Sequence, residues 1–171
     1  MSSADNATWS VVQDHAYVAY VFEAEIWGAP ESVNHMYVLS KWGTLTLKAT
    51  GRAFKAQIVG VLAPVVLQVG PVISRLYKDG GHTELTIALR LPNLMNGSWK
   101  KGTLKTTPKG RFVSPYKKLD GSNYIKLIED AVADATGIDD SMNVDTRVIK
   151  DVSWRGPPSI TVRYVVWLPQ S

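Results

Sequence analysis

The sequence contains no cysteine, which removes disulfide cross-links, thiolate metal sites and a cysteine nucleophile from consideration. Histidine is nearly as scarce. His15, His35 and His82 are scattered along the chain, a spacing that does not make a structural zinc site. Long hydrophobic runs are missing as well: the longest, Ile58 to Leu67, is interrupted by Gly60 and Pro64 and is far shorter than the ~20 residues that span a bilayer. No signal-peptide pattern opens the chain, so a cytoplasmic protein without a membrane partner is expected. One further absence is local. Between Glu84 and Asp120 there is no acidic residue.

That interval holds Arg90, Lys100, Lys101, Lys105, Lys109, Arg111, Lys117 and Lys118. These eight cations exceed the net charge of +4, so the rest of the chain sums to −4. The asymmetry points to a polyanionic partner docking at one place. Trp99, Phe112 and Tyr116 are interleaved with the cations. They could stack on unpaired bases or simply anchor a long loop to the domain.

With 171 residues, 45% hydrophobic and 20% charged, the chain has the balance of one globular domain. Residues 1–16 show no sustained period and are expected to be a tail or peripheral segment, leaving residues 17–171 as the domain. YVAYVFEAEIW (17–27) suits a half-buried strand. SKWGTLTLKAT (40–50) reads as a hairpin or extended loop, with Thr50 placed to cap the helix after it. From Gly51 to Tyr77 the apolar positions Phe54, Ile58, Val61, Leu62 and Val65 have helical spacing, and Pro64 is expected to kink or divide the helix. Thr83 to Leu91 alternates as a strand. The basic insert, residues 93–118, holds Gly97, Gly102, Pro108, Gly110 and Pro115 and reads as a long loop of functional character. DGSNYIKLIEDAVADATG predicts a helix with Ile125, Ile128, Ala131, Val132 and Ala135 on its apolar face and a stop at Gly137. Val144–Trp154 and Ser159–Leu168 come next as strands. The total is an α+β domain of about four strands packed with two or three helices.

Phosphodiester cleavage needs an activated water and charge stabilisation, and two or three carboxylates holding Mg²⁺ supply both. Asp120 stands just before the predicted helix, and Asp139 and Asp140 stand just after it. The plainer alternative makes Asp120 or Ser122 a helix cap and Asp139 and Asp140 merely solvated. A helix of about 14 residues puts its ends roughly 20 Å apart, whereas Mg²⁺ binds its oxygens at ~2.1 Å. The acids can therefore share an ion in two ways. Either the link after Gly137 folds back, or a twofold axis brings one helix end against the partner's opposite end.

The run Asp120-Gly-Ser122-Asn123-Tyr-Ile-Lys126-Leu-Ile-Glu-Asp130-Ala, then Thr136-Gly-Ile-Asp139-Asp140, then Arg147-Val-Ile-Lys150 resembles the core of the RusA-type Holliday junction resolvases. In that family Asp-x-Asp-Asn-x-x-Lys opens a helix that carries Asp-Ala, an Asp-Asp pair comes after it, and a strand bears Arg-Val-x-Lys. Upstream, Pro30-Glu-Ser32-Val-Asn34-His-Met-Tyr37 and Gly51-Arg52-Ala-Phe-Lys55 are similar to the family's Pro-Ser-x-Asn opening and Gly-Arg-Ala-Tyr helix start.

The resemblance implies a RusA-like fold and a homodimer that binds four-way junctions and other branched DNA, cutting them with Mg²⁺ or Mn²⁺ in recombination and repair. It places Asp120, Asp139 and Asp140 on the metal and makes Lys126 a catalytic, DNA-contacting lysine. Asn34 and Arg52 join Lys100, Lys101, Lys105, Lys109, Arg111, Lys117 and Lys118 as DNA-binding residues. One position departs: Ser122 stands where the family has its second catalytic Asp. Ser and Asp both cap helices well, but a hydroxyl offers less charge to Mg²⁺. A catalytically weakened junction-binding protein is therefore the rival expectation. An RNA-binding domain is a weaker third, because its usual aromatic strand motifs are not evident.

Overall fold

Alternation of apolar and polar residues builds the centre of the molecule. A computed structural model describes residues 6–13, 16–28, 37–39, 41, 43, 45–91, 108–110, 121–151 and 156–170. Its main sheet has five strands: β1 (Asn6–Gln13), β2 (Tyr17–Trp27), β5 (His82–Arg90), β6 (Asn143–Lys150) and β7 (Ser159–Pro169). A separate hairpin pairs β3 (Tyr37–Leu39) with β4 (Leu45–Leu47). The helices are α1 (Ala49–Gln68), two short turns α2 (Gly70–Ile73) and α3 (Leu76–Asp79), and α4 (Gly121–Thr136). The chain is thus a mixed α+β domain, as its patterning predicts.

Strand order in the sheet is β1-β2-β7-β5-β6. Neighbours are antiparallel except β5 and β6, which run parallel. A parallel pair requires a crossover, and α4 lies within the one that joins β5 to β6.

One face of the sheet carries the core. Phe22, Ala24 and Ile26 of β2, Leu85, Ile87 and Leu89 of β5, and Ile160, Val162, Tyr164, Val166 and Leu168 of β7 are all buried there. Against them pack Phe54, Ile58, Leu62, Val65 and Val66 of α1 and Tyr124, Leu127, Ile128, Ala131 and Val132 of α4. Truncating a fully buried residue such as Leu127 to alanine costs about 2–5 kcal/mol in such a setting. The opposite face holds a smaller buried group, Ala19, Val21 and Val165, with Trp167 packed beside it.

Several expectations change. Asn6–Gln13 is not a tail but the edge strand of the sheet, paired with β2 from Asn6↔Glu25 to Gln13↔Val18. Pro64 lies inside α1 without dividing it. Both Pro64 and Gly60, whose carbonyl the proline leaves without its helical donor, are exposed, so water can take that carbonyl. Thr50 does not cap α1: the helix begins one residue earlier, behind Lys48, with no side-chain cap. On α4 the buried face is centred on Tyr124, Leu127, Ile128 and Ala131, while Ile125 and Ala135 are only partly buried. Among the described helices α1 alone is long and apolar enough to cross a bilayer by length and composition, yet its apolar stripe is part of the core.

Candidate active site

The geometry of α4 sets the site. Lys126, Asp130 and Asp134 recur at four-residue spacing, which lines them along one side of the helix. Lys126 Nζ lies 3.0 Å from Asp130 Oδ1. Asp134 Oδ2 lies 2.8 Å from Lys55 Nζ of α1, so this side of α4 borders the first half of α1. On the sheet side, Thr146 Oγ1 of β6 donates to Glu129 Oε1 at 3.1 Å and fixes the helix against its following strand.

The β3–β4 hairpin brings Tyr37 to the same place. Its hydroxyl is buried and has no hydrogen-bond partner among the described residues. Burial raises the Tyr37 pKa, the Asp130 carboxylate raises it further, and the charges of Lys126 and Lys55 oppose the rise. The phenol is therefore protonated at neutral pH, a donor set among one acid and two cations.

The acidic pair sits after a constructed turn. Gly137, at φ +71, ends α4 in the left-handed conformation that side chains disfavour, and its N–H donates to the Ala133 carbonyl at 2.8 Å. Thr136 Oγ1 donates to the Val132 carbonyl and accepts from the Ile138 N–H, while buried Ile138 pins the loop to the core. Asp139 then caps a 3-10 turn, Asp140–Met142, its Oδ1 accepting the Ser141 N–H at 2.9 Å. Hydrogen bonding from Ser141 holds the Asp139 carboxyl below the usual carboxylate range. Lys126 is held above its ordinary pKa first by the hydrogen bond and charge of Asp130, and also by the charge of Asp140. The acidic turn thus contributes to the charge around Lys126.

The residues predicted from sequence fall in several places. Asp120, Asn34, Lys100, Lys101, Lys105, Arg111, Lys117 and Lys118 lie outside the described residues. So does the side chain of Ser122, although its backbone belongs to the first turn of α4. Lys109 sits exposed in the turn 108–110. Arg52, exposed near the start of α1, donates to the Leu47 carbonyl at 2.5 Å and clasps the hairpin to the helix. Lys126 makes the i, i+4 pair with Asp130. Both ends of that pair reach solvent, and such surface pairs are worth only about 0.3–0.5 kcal/mol, so the ammonium can be exchanged to a phosphate at little cost.

Carboxylates are the hard oxygen donors that Mg²⁺ prefers, and Asp139 and Asp140 are both exposed. They fit such an ion in chemistry, with Asp139 already committed in part to its cap. Among the described residues no three His, Asp or Glu side chains gather closely enough to hold a metal. A complete donor set here would need a further oxygen ligand.

Tyr37, Lys55 and Asp134 are the members that the sequence reading missed. The i, i+4, i+8 repeat of Lys126, Asp130 and Asp134 was a signal for the stripe. Nothing local in the sequence ties Tyr37 or Lys55 to it. A cleft of about 320 Å³ lined by Gln13, Val18, Tyr20, Arg75, Leu168, Pro169 and Gln170 contains none of these residues. A scan against protein-family models returns no match, and a search of curated proteins returns none either.

Proposed function

We propose that this chain is a structure-selective endodeoxyribonuclease of the RusA resolvase type, a cytoplasmic enzyme acting as a homodimer on four-way junctions and other branched DNA. The observation that carries the reading is the grouping on one side of α4. Lys126, Lys55 and Asp130 face there the hydroxyl of Tyr37, which is buried and has no hydrogen-bond partner among the described residues, in a chain whose motifs resemble that family in order. A buried donor without an acceptor is costly, about 1–3 kcal/mol. A phosphate oxygen arriving between Tyr37, Lys126 and Lys55 would satisfy it.

In this reading Asp120 and Asp140 would hold Mg²⁺, or Mn²⁺ in its place, and Asp139 would fix the turn that presents Asp140. When bound, the ion would offset phosphate charge and lower the pKa of a water nucleophile. Lys126 leaves Asp130 to hold a phosphate oxygen, and the basic insert with Arg52 tracks the backbone of the arms. The rival reading, a junction-binding protein that cuts poorly, rests on Ser122.

Cleavage of a mobile four-way junction across a Mg²⁺ and Mn²⁺ titration separates the two. Metal-dependent nicking that Asp140→Asn removes, with junction binding retained, is the expected result. Tight binding with no nicking in either metal supports the rival. If Ser122→Asp then restores nicking at low Mg²⁺, the missing carboxylate is the reason.

A further inference from the structure

Three exposed hydrophobic side chains lie close together on one edge strand of the sheet. On β1, Trp9, Val11 and Val12 are 40%, 43% and 50% exposed. This strand has no second partner strand among the described residues. An edge strand presents a row of unpaired N–H and C=O groups, and proteins usually guard such rows with charge, proline or a bulge. The β1 sequence NATWSVVQ has no charged residue and no proline. It pairs with β2 in unbroken register, so no bulge turns it away either.

From these observations we infer that β1 pairs with β1 of a second copy of this chain, joining two five-stranded sheets into one across a twofold axis. The occupant is set by charge and symmetry. In an antiparallel self-pairing a residue on the axis faces itself, so a charged residue there would meet its own sign. A strand free of charge suits its own copy without that penalty. The register centred on Ser10 sets Trp9 opposite Val11 and Thr8 opposite Val12. Trp9 and Val11 both lie on the helix side of the sheet, opposite Phe22 and Tyr20 of β2. Trp9–Val11 is then an aromatic–β-branched pair, a kind that stabilises cross-strand contacts.

Stable dimers bury about 800 Å² per partner, so backbone pairing needs apolar side chains beside it. Trp9 Nε1 donates to Gln68 Oε1 at 3.0 Å and brings the last turn of α1 to this edge. Leu67 in that turn is 79% exposed and adds the same kind of surface. A homodimer belongs to the proposed function as well, and what is inferred here is its interface, so the Ser10 variants test the β1 pairing while cleavage tests the nuclease reading.

Light scattering on the full chain reads the mass directly. The wild type is expected at twice the chain mass. Ser10→Lys puts two like charges on the axis at an exposed position and should return the mass of one chain. Because the chain has no cysteine, Ser10→Cys carries a single thiol, which should form a disulfide-linked dimer under mild oxidation. Val144→Cys on the opposite edge should not. A wild type with the mass of one chain overturns the inference, which would also be the result if β1 instead receives a strand from another protein. Retention of the double mass by Ser10→Lys, or failure of Ser10→Cys to cross-link, likewise overturns it.

Discussion

The outer strands β1 and β6 differ in what they carry. β6 leads directly out of the acidic turn and bears Asp145, Arg147 and Lys150. Arg147 Nε lies 2.6 Å from Asp145 Oδ2, and the register against β5 shifts between Thr83 and Glu84. Val144 and Ile149 are exposed there too, but each has a charged neighbour in sequence. β1 has none of these devices. Charge and a shifted register obstruct edge pairing while leaving the surface compatible with a polyanion, whereas an uncharged, regular edge is open to another strand. One rim of the sheet is thus obstructed to strand addition and the other open to it.

The separation of the rims bears on where the catalytic unit lies. With β1 paired to its copy, the two β6 strands are nine strand spacings apart, roughly 40 Å at ~4.8 Å each. Helix α4 and the acidic turn of one subunit are then remote from those of the other, so an acidic site built on them would belong to one chain. The decisive experiment mixes an Asp120→Asn subunit with an Asp140→Asn subunit, each expected to lose cleavage alone by on the order of 100-fold or more, beyond the ~10–100-fold cost of outer-shell changes. Mixed dimers, verified by mass, should stay inactive. Recovery of cleavage would mean a site shared between subunits and would break the contrast between the two rims.

How much of this was legible in the sequence depended on burial. Strands β2, β5 and β7 have one face in the core and carry apolar residues at alternate positions along it, whereas β6 contributes only the partly buried Val148. In β1 nearly every residue is exposed, so no alternation is required and NATWSVVQ shows none. For α4 the residue set was readable, but Tyr124 and Leu127 were missed because the apolar positions fill more than one stripe. Lys48 ahead of α1 shows a helix starting without a capping side chain, since packing of Phe54, Ile58 and Leu62 outweighs a cap worth about 1 kcal/mol. Asp139 and Asp140 stood out as an acidic pair after a glycine. Tyr37 could not, because it joins α4 only through the fold.

Tyr37→Phe is the next sharpest probe of the β6 side. The hydroxyl is buried without a partner among the described residues, so removing it orphans none of them, and the melting temperature should hold or rise. A hydrogen bond to a charged oxygen is worth about 1.5–3 kcal/mol, so junction cleavage should fall roughly ten- to a hundredfold if the phenol holds a phosphate. Unchanged cleavage with unchanged stability would remove Tyr37 from the site.

The smallest expected effect concerns Asp139, where two roles give different outcomes. Its carboxyl is depressed by hydrogen bonds from Ser141, so the folded state binds that proton more weakly than the unfolded chain. Stability from this source is present above the ordinary carboxylate pKa and is lost as pH falls through the depressed one. Asp139→Ala should therefore melt slightly earlier than wild type at neutral pH, and the gap should close as acid protonates the wild-type carboxyl. Asp139→Asn keeps an acceptor for the Ser141 N–H, since asparagine caps about as well as aspartate, and should track wild type more closely. The same variant distinguishes the cap from a metal ligand. If Asp139 only shapes the turn that presents Asp140, Asp139→Asn retains most cleavage while Asp140→Asn does not. If both acids bind the ion, the two variants lose cleavage alike and more Mg²⁺ partly restores each, which would extend the catalytic rim to both members of the pair.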